Sequence, residues 1–152
     1  MARRDVEVVG SARRLVRAPL ERVYAAWIDP DLMPRWMGGH RITTTGGRLD
    51  RPGATFREEI AGPYRPRGQV IAATPPTAHE LTGRGIFGLG YRWKTTFTAV
   101  PGGSEVQLDG AVILPLHPIG RAMRRLMNPT TVASRLEHRL ALFARAVEDD
   151  EP

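Results

Sequence analysis

Glu58 is the residue whose surroundings most invite chemistry. Phe56, Glu58 and Ile60 fall on one side of a strand-like alternation, with Thr55, Arg57 and Glu59 on the other. A carboxylate held among apolar neighbours costs several kcal/mol unless it is paired, hydrogen-bonded or protonated. Two readings stand. Glu58 is a pocket acid or base with a raised pKa, or it pairs with an arginine or faces water through a one-residue shift of register. His79 opens a strand beside the Pro75-Pro76 turn and reads either as a partner for Glu58 or as an exposed loop histidine. Tyr91, on the inner side of a later alternation, adds a hydroxyl. Glu58, His79 and Tyr91 are the catalytic candidates. His40 follows Gly38-Gly39 as a pocket-mouth or loop residue, while His117 and His138 read as connector and surface positions.

The large apolar side chains form a second constellation. Trp36, Phe56, Phe87, Tyr91, Trp93 and Phe97, with Met123, Met127 and Leu136, fall on inferred inner faces or beside them. Taken singly, each is a core residue whose burial contributes roughly 1.5–3 kcal/mol. Taken together with Glu58 as polar anchor, they are the candidates to line an apolar ligand pocket. The methionines add adaptable surface, and the glycine-rich stretch Gly83–Gly90 is a candidate entrance.

Several chemistries are excluded. The chain has no cysteine, so disulfides, thiol catalysis and thiolate metal sites are absent. Four scattered histidines give no metal-ligand spacing, and no metal or cofactor is expected. Gly83-Arg84-Gly85-Ile86-Phe87-Gly88 matches a dinucleotide-loop pattern, but it leads into a strand instead of a helix. The net charge of +6 raises nucleic-acid binding. Lys94 is the one lysine among 22 basic residues, and the arginines are dispersed, which disfavours that partner. No apolar run reaches the ~20 residues needed to span a bilayer, and no apolar signal core follows the N-terminal residues. A cytoplasmic protein is expected; no pattern sets an oligomeric state.

These side chains need elements to position them. At 152 residues one domain is expected over 1–152, with an acidic, disordered tail from about 148 to 152. Asp5 to Ala18 reads as a first strand, with a bend or bulge near Gly10. Leu20, Val23, Tyr24 and Trp27 mark one face of a short helix after Pro19. Leu32 to Met37 forms a second, with Asp31 as its expected cap. Strands follow over 41–45, 54–61, 64–73, 78–84, 91–100 and 105–114. Tyr91, Trp93, Thr95, Phe97 and Ala99 alternate cleanly with polar neighbours, as in an antiparallel sheet covered on one side. From Pro118 to Glu148 an apolar stripe, including Ile119, Met123, Leu126, Leu136, Leu140 and Phe143, marks a long terminal helix. Asn128-Pro129 either kinks it or divides it in two; the in-phase stripe favours the kink.

The segment from Val16 to Pro30, with Ala18-Pro19, Val23-Tyr24, Trp27 and Asp29-Pro30, followed by Leu32 and Trp36, carries a resemblance. With the order of elements, it resembles the SRPBCC superfamily. This is the helix-grip fold of START domains, birch pollen allergen and polyketide cyclase/dehydrase-like bacterial proteins. The resemblance implies an α+β fold in which a curved antiparallel sheet of about seven strands wraps a long C-terminal helix. Two short helices lie between strands 1 and 2. It also implies a cavity between sheet and helix for a small hydrophobic or aromatic molecule. The leading expectation is binding of such a ligand. The alternatives are a cyclase/dehydratase-type enzyme using Glu58, His79 or Tyr91, and a protein-interaction module.

Overall fold

A computed structural model describes residues 5–37, 41–45, 48–59 and 65–149. The order is β1 (Val6–Val16), α1 (Leu20–Trp27), α2 (Met33–Trp36), β2 (Arg41–Thr45), β3 (Thr55–Glu59), β4 (Arg67–Thr74), β5 (Ala78–Arg84), β6 (Gly90–Val100), β7 (Gly103–Leu114), α3 (Pro118–Arg124) and α4 (Pro129–Asp149). The seven strands form one antiparallel sheet in the order β1-β7-β6-β5-β4-β3-β2. The expected α+β helix-grip architecture is therefore present, with seven strands and two short helices after β1. His40, Ile60 and the turns at Gly46-Gly47 and Gly62-Pro63 lie outside the described residues, as do positions 150–152.

The central strands follow their sequence alternation. Trp93, Thr95 and Phe97 of β6 are buried, while Arg92, Lys94 and Thr98 face out. On β7, Val106 and Leu108 point inward beside them. Helix α4 covers this face with Val132, Leu136, Leu140, Phe143 and Val147, all buried at 3–4 spacing. At about 1.5 Å per residue, its 21 residues cross the sheet.

Several local expectations are corrected. The chain from 118 to 149 is split, not kinked. Asn128 accepts a hydrogen bond at Oδ1 from Thr131 N–H (2.9 Å), and Pro129 occupies the first helical position. The stripe does not run through the break: Leu126 is 76% exposed on the connecting turn. The second short helix starts without a side-chain cap; Asp29, not Asp31, organises the turn by accepting from Asp31 N–H at 2.9 Å. Glu148 and Asp149 do not belong to the expected disordered tail: both are helical, and the Glu148 carboxylate accepts from Arg17 N–H at 3.0 Å.

Gly10 does not mark a bulge. The β1–β7 register runs unbroken from Val6↔Leu114 to Val16↔Ser104. Gly10 instead makes room for the helix: a Cβ there would lie 2.7 Å from Ala133 N and 2.9 Å from Val132 Cγ1. Its cross-strand partner is Gly110, where a Cβ would meet Leu136 Cδ1 at 2.9 Å. Two paired glycines thus form a shallow seat for α4 on the sheet. Gly10→Ala should push the helix off this seat and destabilise the fold by roughly 1–3 kcal/mol, an overpacking cost. Urea denaturation reads it; an unchanged midpoint would show that α4 does not bear on Gly10.

Candidate functional site

The space between sheet and helix is unevenly filled. On the side of α1 and α2, the Trp27 and Trp36 rings stack at 4.4 Å, and Phe143 meets both edge-on at 5.0 and 5.7 Å. Phe97 and Tyr24 close the cluster at 5.4 Å from each other. This half is a solid aromatic core. Toward α3 the filling stops, and a cavity of about 460 Å3 opens. Its wall comes from β3, β6, β7, the Ile86–Leu89 loop, α3 and α4.

Seven of the ten expected lining residues stand on that wall: Glu58, Phe87, Tyr91, Trp93, Met123, Met127 and Leu136. The other three are elsewhere, which corrects their expected place. Trp36 and Phe97 belong to the aromatic core. Phe56 lays its ring over Gly68, where a Cβ would sit 2.0 Å from Cζ. Its burial is strand-to-strand packing. Residues not anticipated include Met37, Leu89, Val112, Ile119 and Val132, together with Arg135 and Arg139.

The cavity has one polar end. Glu58 is 3% exposed, and Tyr91 Oη donates to its Oε2 at 3.2 Å. Burial pushes the Glu58 carboxyl up to about 7; the Tyr91 hydrogen bond and the nearby Arg139 cation only partly oppose this. Tyr91 reaches Glu58 because Gly83, its neighbour on β5, has no side chain. A Cβ at Gly83 would lie 2.7 Å from the Tyr91 hydroxyl. Arg139 projects from α4 with its guanidinium 5.1 Å from the Trp93 ring centre, a cation–π arrangement. Trp93 in turn leans on Tyr91 at 5.0 Å. Burial draws the Arg139 guanidinium below its usual range, and Glu58 and Tyr91 oppose that effect; it remains a cation. The sequence signal for Arg139 was its place three residues after Leu136, on the flank of the buried stripe, where a long stem covers apolar surface while its head stays polar.

His79 joins neither Glu58 nor the solvent. It is 1% exposed, and its ring Nε2 lies 2.8 Å from Leu49 O. The contact with a carbonyl sets Nε2 as the protonated nitrogen. Burial lowers its pKa below the ordinary 6.5, with the Leu49 bond opposing, so it is held neutral. His79 is a structural residue between β5 and the Leu49 segment, away from the cavity wall.

The mouth lies between the Ile86–Leu89 loop and α3. Phe87 is 55% exposed and adopts φ 60°, a left-handed conformation that is uncommon for an aromatic residue. Its carbonyl accepts from His117 Nε2 at 2.8 Å, while His117 Nδ1 accepts from Gly120 N–H at 3.4 Å in the first turn of α3. His117 therefore ties the strained loop to the helix opposite. From Ala111 to Leu136 the sequence contains Arg121, Arg124, Arg125 and Arg135 and no acidic residue. Among the described residues no cluster of His, Asp or Glu has metal-holding geometry, and no helix is long and apolar enough to cross a membrane.

A half-filled sheet-and-helix grip with an apolar cavity defines a protein of the helix-grip class. Residues 7–148 match the family model described as "Polyketide cyclase / dehydrase and lipid transport", and the chain belongs to that family, of SRPBCC type. Solved structures agree on the fold. An uncharacterised protein from Rhizobium leguminosarum is 19% identical, with TM-score 0.71, covering 99% of this chain and 100% of that one. Ara h 8.0201 is 16% identical, with TM-score 0.68, covering 95% of this chain and 97% of its own. DynU16, from the dynemicin biosynthetic locus, is 16% identical with TM-score 0.68. That match covers 95% of this chain but 48% of DynU16. No curated protein sequence matches the chain.

The raised Glu58 pKa carries a pH signature. A carboxyl whose folded pKa lies above its ordinary 4.5 contributes stability fully below that value and loses it as pH rises through about 7. The whole shift corresponds to roughly 3 kcal/mol. His79 acts in the opposite direction, costing stability as pH falls below 6.5. The difference between the native protein and Glu58→Gln therefore isolates Glu58. Across pH 5 to 8 the native protein should lose stability relative to Glu58→Gln; parallel curves in urea titrations would refute a buried, raised carboxyl.

Proposed function

We propose that this protein binds a small hydrophobic or aromatic molecule in the cavity between the sheet and α4. The observation that carries the reading is the division of the interior: one half is packed by Trp27, Trp36, Phe97 and Phe143, while the other stays open over about 460 Å3. That volume suits a compact ring system, and apolar walls with few polar groups are the usual make-up of such sites. Tyr91, Trp93, Met123, Met127 and Leu136 supply the apolar contact, Glu58 the polar anchor, and Phe87 the rim. Membership of a family described by cyclases, dehydrases and lipid transport fits a guest of this kind.

A second reading is favoured by one observation. Glu58 and Tyr91 form a hydrogen-bonded pair at 3.2 Å, and a carboxyl near 7 is poised to give or take a proton at neutral pH. This suits a cyclase/dehydratase-type reaction on a bound polyketide-like substrate. His79 is not part of that machinery.

Two measurements separate these readings. The fluorescence of N-phenyl-1-naphthylamine should rise on binding with a micromolar Kd, on the order of −8 kcal/mol. Met127→Trp, which narrows the cavity, should weaken it at least about tenfold. No enhancement would refute a ligand site. For the enzyme reading, Glu58→Gln should lower kcat on a polyketide-like substrate about 100-fold or more while the substrate still binds; equal turnover would remove Glu58 from any reaction.

A further inference from the structure

The two arginines on the cavity wall are the feature that apolar ligand binding leaves unexplained. Arg135 and Arg139 lie one turn apart on α4 and line the same cavity as Trp93, Tyr91 and Glu58. Among the described residues, no carboxylate stands within ion-pair distance of either guanidinium. Arg139 rests on the Trp93 face, which orients the cation without pairing it to an anion. Glu58 attracts Arg139 only when ionised, and burial keeps it largely protonated below about pH 7, so there it supplies little of the missing charge. A half-buried cation facing an apolar cavity gains most from an anion arriving with the ligand.

We propose that the ligand is an amphipathic acid: a ring or short apolar body in the cavity, and a singly charged anionic head seated against Arg139 and Arg135. This deepens the ligand-binding reading and rests on it. Tyr91 and Glu58 form the polar floor beside the head, on the β6 and β3 side, and the two arginines face them from α4. Below about pH 7 Glu58 is mostly protonated and does not repel the guest. Above it, Glu58 adds a negative charge that competes for Arg139, so the acid binds more weakly.

The test uses two fluorescent probes with one skeleton. 1-Anilinonaphthalene-8-sulfonate carries a sulfonate; N-phenyl-1-naphthylamine lacks it. Titrations at pH 6 with tryptophan excitation read energy transfer from Trp93 on the cavity wall and from Trp27 and Trp36 beside it. The native protein should bind the sulfonate about tenfold or more tightly than the neutral probe. Arg139→Gln should remove that preference, Arg139→Lys should keep part of it, and Arg13→Gln on the outer face of β1 should change nothing. Raising the pH to 8 should weaken the sulfonate in the native protein but not in Glu58→Gln. Equal affinity for the two probes in the native protein, which needs no variant to fold, overturns the acidic-head inference and leaves the cavity reading standing. Binding of neither probe overturns both.

Discussion

Helix α4 meets the sheet at a pair of glycines. Gly10 and Gly110, opposite each other on β1 and β7, let the helix settle against the sheet where any side chain would collide with Ala133, Val132 or Leu136. The helix lies mainly along β1, close to one edge. Its closest packing is on β1 and β7, and the cavity lies farther along, toward β6 and β3. Trp27, Trp36 and Phe143 occupy one half of the space between the layers with stacked and edge-on rings. In the other half α4 offers Val132 and Leu136, too short to reach across, and arginines that end in charge. The open volume follows from a close seat on one side and a shortage of large rings on the other.

The electrostatics of the interior follow from the same geometry. Glu58 points inward because a strand sends alternate side chains to one face, and Phe56, two residues earlier, lies on that face over Gly68. Once inside, the carboxyl meets a low-dielectric wall and one hydroxyl. Desolvation outweighs the hydrogen bond and the neighbouring cation, and the group holds its proton to about 7. Gly83 is the permissive residue here, since only an absent side chain lets the Tyr91 ring lie where its hydroxyl reaches Glu58. The polar end of the cavity therefore depends on a glycine one strand away, as the helix seat depends on another.

Much of this was legible in the residues, and the failures have physical causes. Period-2 alternation placed Glu58, Tyr91 and Trp93 inward, and their burial or place on the cavity wall agrees. Helical spacing located α1 and α4. What periodicity lacks is knowledge of which strands and helices meet. Gly10 looked like a bend because the sequence does not say that a helix backbone passes over it. Arg139 is not singled out by its sequence because a helical wheel does not reveal that Trp93 lies under its guanidinium. Phe97 and Trp36 fall on inner faces as read, but an inner face has a filled half and an open half, and only packing distinguishes them. The break at Asn128 has a related cause: an in-phase stripe suggests continuity, yet Leu126 has nothing to cover and Asn128 caps a new helix.

The acid-free run from Ala111 to Leu136 bears on how fast the cavity can be reached. Four arginines and no carboxylate give this wall a positive potential that extends about a Debye length into solution, ~8 Å at physiological ionic strength. Such a field acts before any contact is made, and it would favour the approach of a small anionic guest to the rim. Arg121, Arg124 and Arg125 lie outside the cavity lining, so their contribution belongs to arrival and to its dependence on salt.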